Sequence, residues 1–317
     1  MRERVNGTAI ALMLAVGAIA GCGGSTTPSA SEGTDTVEVA EVNDGAIDVT
    51  VSILPQKYFV EKIGGENVNV NVMVPPGASP ATYEPKPQQL KDLSDAEAYV
   101  SIGIHFEKPW MPRIESANPQ MLVIDSAEGI EKLPLEDHHH HEAEGGHDHG
   151  HDHGGDTLDP HIWLSPRLAK QQAQNIYEGL VKVDPENQET YRQNLEQFWA
   201  EIDQIDAQIR ANLEGVSNRQ FMVFHPSWGY FAADYNLEQE AIEVGGQEPS
   251  ASELATLIAE AKAENIQVIF AQPEFNTESA QTIAQEIGGE VILVTPLAPN
   301  WSENLLEVSE KFAGALN

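Results

Sequence analysis

From Ile47 onward, short runs rich in Val and Ile alternate with stretches whose apolar residues recur every three or four positions. Residues 48–54, 67–74, 98–104 and 121–125 read as strands, being short, β-branched and bounded by turn residues. Between them, 56–65 and 88–96 read as helices, the first ending on Gly64 and Gly65 as helices commonly do. The rhythm returns in strands over 220–225, 240–244, 268–272 and 291–297, with helices over 250–265 and 277–289. Each of these two helices starts with Ser or Thr followed by Glu, an N-cap pattern that satisfies the first free backbone N–H groups. Parallel strands need a crossover between them, and alternating strand and helix supplies it. The pattern predicts an α/β fold of two Rossmann-like lobes with mostly parallel sheets and a ligand cleft between them.

What joins the lobes is helical. One helix spans about Pro166 to Val183 and stops at Asp184-Pro185. From Pro185 to Leu213 there is no Gly or internal Pro, and Tyr191, Leu195, Phe198, Ile202, Ile205, Ile209 and Leu213 recur at steps of three and four. That is one apolar stripe on a helix of about 29 residues, roughly 43 Å long at 1.5 Å per residue. Such a stripe serves either a coiled-coil dimer or a rigid strut packed on both lobes, and its place midway between two βα blocks favours the strut. The predicted organisation is a lobe over 47–165, helices over 166–215 and a second lobe over 216–317, in a monomer whose conformational changes are modest.

Composition changes the picture at the N-terminus. Residues 1–21 have a basic start, a hydrophobic run from about Thr8 to Ala20, and then Gly21-Cys22, the pattern of a lipoprotein signal peptide. Cys22, the sole cysteine, is the expected lipidation point; it allows no internal disulfide and no thiolate metal cage. Residues 22–46 are rich in Ser, Thr, Gly and acid and read as a flexible tether to a membrane. The 17 basic and 50 acidic residues give a formal charge of −33. That field repels nucleic acid and anionic lipid surfaces, attracts cations, and also fits a saline habitat.

The candidate chemistry is carried by histidine. Eight of the eleven histidines lie in residues 137–156, at His138, His139, His140, His141, His147, His149, His151 and His153, interleaved with Gly and acid. This segment has almost nothing apolar to bury, and its imidazoles suit Zn²⁺, Cu²⁺ or Ni²⁺; it reads as an auxiliary metal collector rather than a selective site. The three that remain, His105, His161 and His225, fall just beyond strand ends or in the loops leading from them, where open parallel sheets present ligands. Three neutral nitrogens and one oxygen would make a tetrahedral zinc site, with imidazoles drawn from both lobes.

At these residues the chain resembles a known family. The stretches "PPGASPATYEPKPQQL", "AYVSIGIHFEKPW", "DPHIWLSP", "FHPSWGYFAADYNLE", "EPSASELATLIAEAK", "IFAQPEFNTESAQTIAQEIGG" and "TPLAPNW" follow, in order, the motifs of the zinc/manganese substrate-binding proteins of ABC importers. The resemblance implies a lipid-anchored, extracytoplasmic receptor without catalysis. It would hold one metal ion, Zn²⁺ rather than Mn²⁺, in the cleft and hand it to a membrane permease and its ATPase. His161 matches the family's DPH histidine, and His225 the ligand at the end of the second lobe's first strand; a His there, in place of Glu, points to zinc. Two positions depart from the pattern: Ala81 stands where a ligand His is usual, and Thr295 where an acid is. His105 is the tentative replacement imidazole. The fourth ligand is open among water, Glu84 and Glu274, with Glu107 as a residue that could orient His105.

Three other readings fit the residues. A zinc hydrolase would use the same histidines with an open metal position, although there is no HExxH helix, nucleophile elbow or paired-carboxylate signature. A zinc-buffering or adhesive surface lipoprotein would need no transporter. A receptor of the same fold could have taken up an organic ligand or metal chelate.

Overall fold

The eight expected strands all form, in a computed structural model that describes residues 45–135, 158–243, 247–275 and 277–317. The signal peptide, Cys22, most of the tether and the histidine-rich segment lie outside the described residues. In the first lobe, β1 (Ile47–Val51), α1 (Leu54–Gly64), β2 (Val68–Val72), α2 (Pro87–Asp92), β3 (Ala98–Ser101), α3 (Glu107–Ala117) and β4 (Leu122–Asp125) follow one another. The helices α4 (Pro166–Val183) and α5 (Gln188–Leu213) come next. The second lobe comprises β5 (Gln220–Val223), α6 (Gly229–Tyr235), β6 (Glu238–Ala241), α7 (Ala251–Ala263), β7 (Val268–Ala271), α8 (Glu278–Ile287), β8 (Glu290–Leu293) and α9 (Trp301–Ala315).

Both sheets are parallel and share one order, β2-β1-β3-β4 and β6-β5-β7-β8. In each, the strand order reverses between the first strand of the lobe and the third. A crevice opens at that reversal beyond the carboxyl ends, the usual place for a ligand in such sheets. Strand β3 is buried along its whole length, as expected where helices cover both faces. Gly65 ends α1 with a φ of 58°, a conformation that a residue with a Cβ adopts only at a cost.

Some boundaries differ from the pattern. The run 48–54 stops as a strand at Val51 because Pro55 already belongs to the first turn of α1. Ser250 caps α7 and exchanges hydrogen bonds with Glu253 as expected, whereas Thr277 makes no such bond at the start of α8. Helices α3, α6 and α9 were not anticipated.

The long helix α5 is a strut and not a dimer seam. All seven residues of its stripe are buried within this chain, against α1 of the first lobe, the neighbouring helix α4 and α9 of the second lobe. It has 26 residues, three fewer than the pattern suggests, because Pro185–Asn187 form a tighter 3-10 turn. Phe59 of α1, Phe198 of α5 and Trp301 of α9 share one aromatic cluster, with ring centres 5.1 Å apart for Phe59 and Trp301 and 5.4 Å for Phe59 and Phe198. Beside it Tyr58 donates to Glu201 at 2.6 Å, Ser302 hydrogen-bonds the same carboxylate, and Lys62 pairs with it at 2.6 Å. One hydrophobic core therefore runs from the first sheet through α5 into the second lobe. A smaller core lies between the second sheet and α7 and α8.

Candidate metal site

The carboxyl ends of both sheets face one cavity of about 60 Å³, room for an ion or a few waters. Its wall includes Ala81, His105, His161, Trp163, His225 and Glu274. His161 arrives from the first lobe, in the turn that leads into α4, and His225 from the second, two residues past β5. Their ring centres are 5.2 Å apart.

Each of these imidazoles is held through Nδ1 by a buried carboxylate. Asp159 Oδ1 accepts from the His161 backbone N–H at 2.9 Å and lies 2.7 Å from its Nδ1. Glu243 Oε1 lies 2.6 Å from His225 Nδ1. A carboxylate on Nδ1 fixes the ring, sets the tautomer and leaves Nε2 free to ligate, an arrangement characteristic of histidine bound to zinc. The two sites are built differently. Asp159 is local, two residues before its partner. Glu243 is brought by sheet register: Val223 pairs with Ala241 on one side and Phe270 on the other. Two residues further on, His225 is therefore flanked by Glu243 and Gln272. Gln272 clamps the His225 backbone, accepting from its N–H at 3.2 Å and donating to its carbonyl at 2.7 Å. Phe275 stacks on the His225 ring at 4.7 Å.

The lobes are stitched together around the cavity. The Trp163 indole donates to the Pro296 carbonyl and that of Trp301 to the Trp163 carbonyl, each at 2.7 Å. On another side Tyr230 Oη donates to the Asp159 carbonyl at 2.8 Å and accepts from the Leu133 N–H at 2.9 Å.

Burial lowers the pKa of His161, against the opposing pull of Asp159, so the ring is neutral and able to ligate at neutral pH. Because the unfolded imidazole takes up its proton first, near pH 6.5, stability from this group is complete above that value and is lost as pH falls towards the lower folded pKa. The metal-free protein is expected to show a falling thermal midpoint below about pH 6.5, and His161→Asn to flatten that slope. An unchanged slope in the variant would contradict this assignment.

The remaining candidates separate. His105 lines the cavity but is exposed, and among the described residues no three His, Cys, Asp or Glu side chains converge tightly enough to hold a metal. Glu84 is exposed and is not part of the cavity wall. Glu107 does not orient His105. Its buried carboxylate instead accepts from the Ser52 hydroxyl and the N–H groups of Ile102 and Gly103 at 2.5 to 3.2 Å, binding together the exits of β1 and β3. Burial raises its pKa despite these donors. Glu274 does line the cavity, and Ala81 does too, at the position where the family pattern places an imidazole. Asp159 and Glu243 were not anticipated from the sequence; the spacing of Asp159 to His161 was the available signal.

Comparison with known proteins identifies the family. The sequence profile of zinc-uptake complex component A, periplasmic, matches residues 49–315. The high-affinity zinc uptake system protein ZnuA of Bacillus subtilis is 29% identical over 285 residues, covering 88% of this chain and 84% of that protein. A crystal structure of a ZnuA is 48% identical, with a TM-score of 0.78 over 86% of this chain and 100% of that one. An internal-deletion mutant of ZnuA with zinc bound is 49% identical, with a TM-score of 0.76 over 86% of this chain and 98% of that one. No helix among the described residues is long and apolar enough to cross a membrane. The chain belongs to the zinc-uptake complex component A family: it is an extracytoplasmic binding protein of an ABC zinc-uptake system, a transport receptor and not an enzyme.

Proposed function

We propose that this chain captures Zn²⁺ between His161 and His225, with His105 as a third imidazole that swings in, and delivers it to an ABC permease driven by its ATPase. The observation that carries the reading is the pair of imidazoles from opposite lobes, 5.2 Å apart, each with Nδ1 bound to a carboxylate. Zn²⁺ is preferred over Mn²⁺ because nitrogen donors dominate the cavity, and Mn²⁺ favours oxygen. Cys22 would carry the lipid that keeps the receptor on the outer side of the membrane.

Ligands must be deprotonated, so binding releases protons and weakens on acidification. The histidine-rich segment 137–156 serves as a collector that passes ions to the cleft. Its flanks support this: Leu135 lines the cavity, and Pro134 and Leu158 form an antiparallel bridge two residues from Pro160, which also lines it. Protein lacking residues 138–153 is expected to retain about one tight zinc site per chain by calorimetry while losing the weaker ones. Loss of the tight site with the segment would overturn the assignment to the cleft.

A further inference from the structure

We propose that Glu274 supplies the oxygen ligand of this site and that Thr295 is the residue that positions it. The inference rests on the reading above and concerns the place left by the two departures from the family pattern.

The turn that leaves β7 wraps around His225. Gln272 holds its backbone, Phe275 stacks on its ring, and Glu274 lies between these two residues with its side chain on the cavity wall. One carboxylate oxygen is engaged: Glu274 Oε1 accepts from the Thr295 hydroxyl at 2.6 Å. Thr295 Oγ1 in turn accepts from the Leu297 N–H at 3.1 Å, which commits its own proton to Glu274. The other oxygen, Oε2, is buried and has no hydrogen-bond partner among the described residues. A buried carboxylate oxygen with nothing to accept from is costly, and a cation in the adjoining cavity satisfies it.

The other nearby carboxylates are committed, Asp159 and Glu243 each to the Nδ1 of an imidazole. Imidazole ligands carry no charge and leave the full double charge of the ion in the cleft, and one carboxylate removes half of it. Glu274 and the imidazoles do not converge as they stand. Ligation requires Glu274 to rotate about its side-chain torsions, with Oε1 tethered by Thr295 and Oε2 turned into the cavity that His161 and His225 line. Thr295 thus contributes no charge itself but aims one supplied from the neighbouring strand exit.

The test uses full-length protein loaded with Zn²⁺ for chelator competition and with Co²⁺ for its visible d–d absorption, which reports the ligand set. Glu274→Gln keeps an acceptor for Thr295 but cannot ligate as an anion. It is expected to lose zinc affinity by about 100-fold or more and to shift the Co²⁺ bands, since even orienting partners cost about 10–100-fold. Glu274→Asp should recover part of the loss. Thr295→Val should lose about 10-fold with Co²⁺ bands that keep their pattern, as a positioning role requires. Wild-type affinity and an unchanged Co²⁺ spectrum in Glu274→Gln, with binding abolished in His225→Ala, would overturn the proposal and leave the imidazole site intact. Unchanged binding in His225→Ala as well would place the ion elsewhere and overturn both.

Discussion

His161→Ala is expected to lower zinc affinity by more than about 100-fold, beyond the 10–100-fold range typical of residues that only orient a ligand. The substitution is informative because it leaves the surroundings in place. Asp159 still accepts from the backbone N–H of residue 161, and the Tyr230 bond to the Asp159 carbonyl does not involve the ring. His225→Ala should match the loss by removing the partner imidazole from the other lobe. Asp159→Asn and Glu243→Gln should each fall in the smaller range, because they disturb the tautomer and orientation of a ligand that is still present. Competition with a chromophoric chelator, alongside circular dichroism to verify folding, gives the ranking. If the two carboxylate variants cost as much as the two histidine variants, the division into ligands and orienting residues is wrong.

Ala81→His is expected to do the reverse and tighten zinc binding by at least about tenfold, or about 1.4 kcal/mol. Ala81 is exposed and lines the same cavity, so an imidazole there has room and a short reach. His105 has to be recruited from an exposed position and gives up side-chain freedom when it ligates. A double-mutant cycle separates the two imidazoles. Removing His105 should weaken binding in the wild-type chain and have little effect once His is present at position 81. If His105→Ala is silent in both backgrounds, His105 is a cavity wall and not a ligand, and the third nitrogen is missing from this receptor.

The sequence carried most of the fold because fully buried parallel strands must be β-branched and apolar, which leaves a clear trace. Where an edge strand is polar, the trace fades. Strand β6 starts at Glu238-Gln239-Glu240, two residues before the apolar run suggested. Helix α3 was obscured by Pro112 and by a mixed polar sequence. Helix α9 carries a signal absent from the pattern reading above: Trp301, Leu305, Val308 and Phe312 step by four, three and four and are all buried. At the site, the histidines stood out because so few lie outside the His-rich segment. Glu243 could not stand out: it lies 18 residues from His225, and only the pairing register brings the two side by side. Glu107 shows the same limit of sequence proximity. Its nearness to His105 in sequence suggested a contact, yet a buried carboxylate goes to the densest group of free donors, here the N–H groups at the end of β3.

The shared packing of α5 has a thermodynamic consequence. The main core belongs to neither half alone, since α1 from one and α9 from the other cover the same stripe and Glu201 takes hydrogen bonds from both. Parting them would uncover Phe59, Phe198 and Trp301 together, so heat should melt the two halves in a single cooperative transition. Neither half severed from the other is expected to remain soluble.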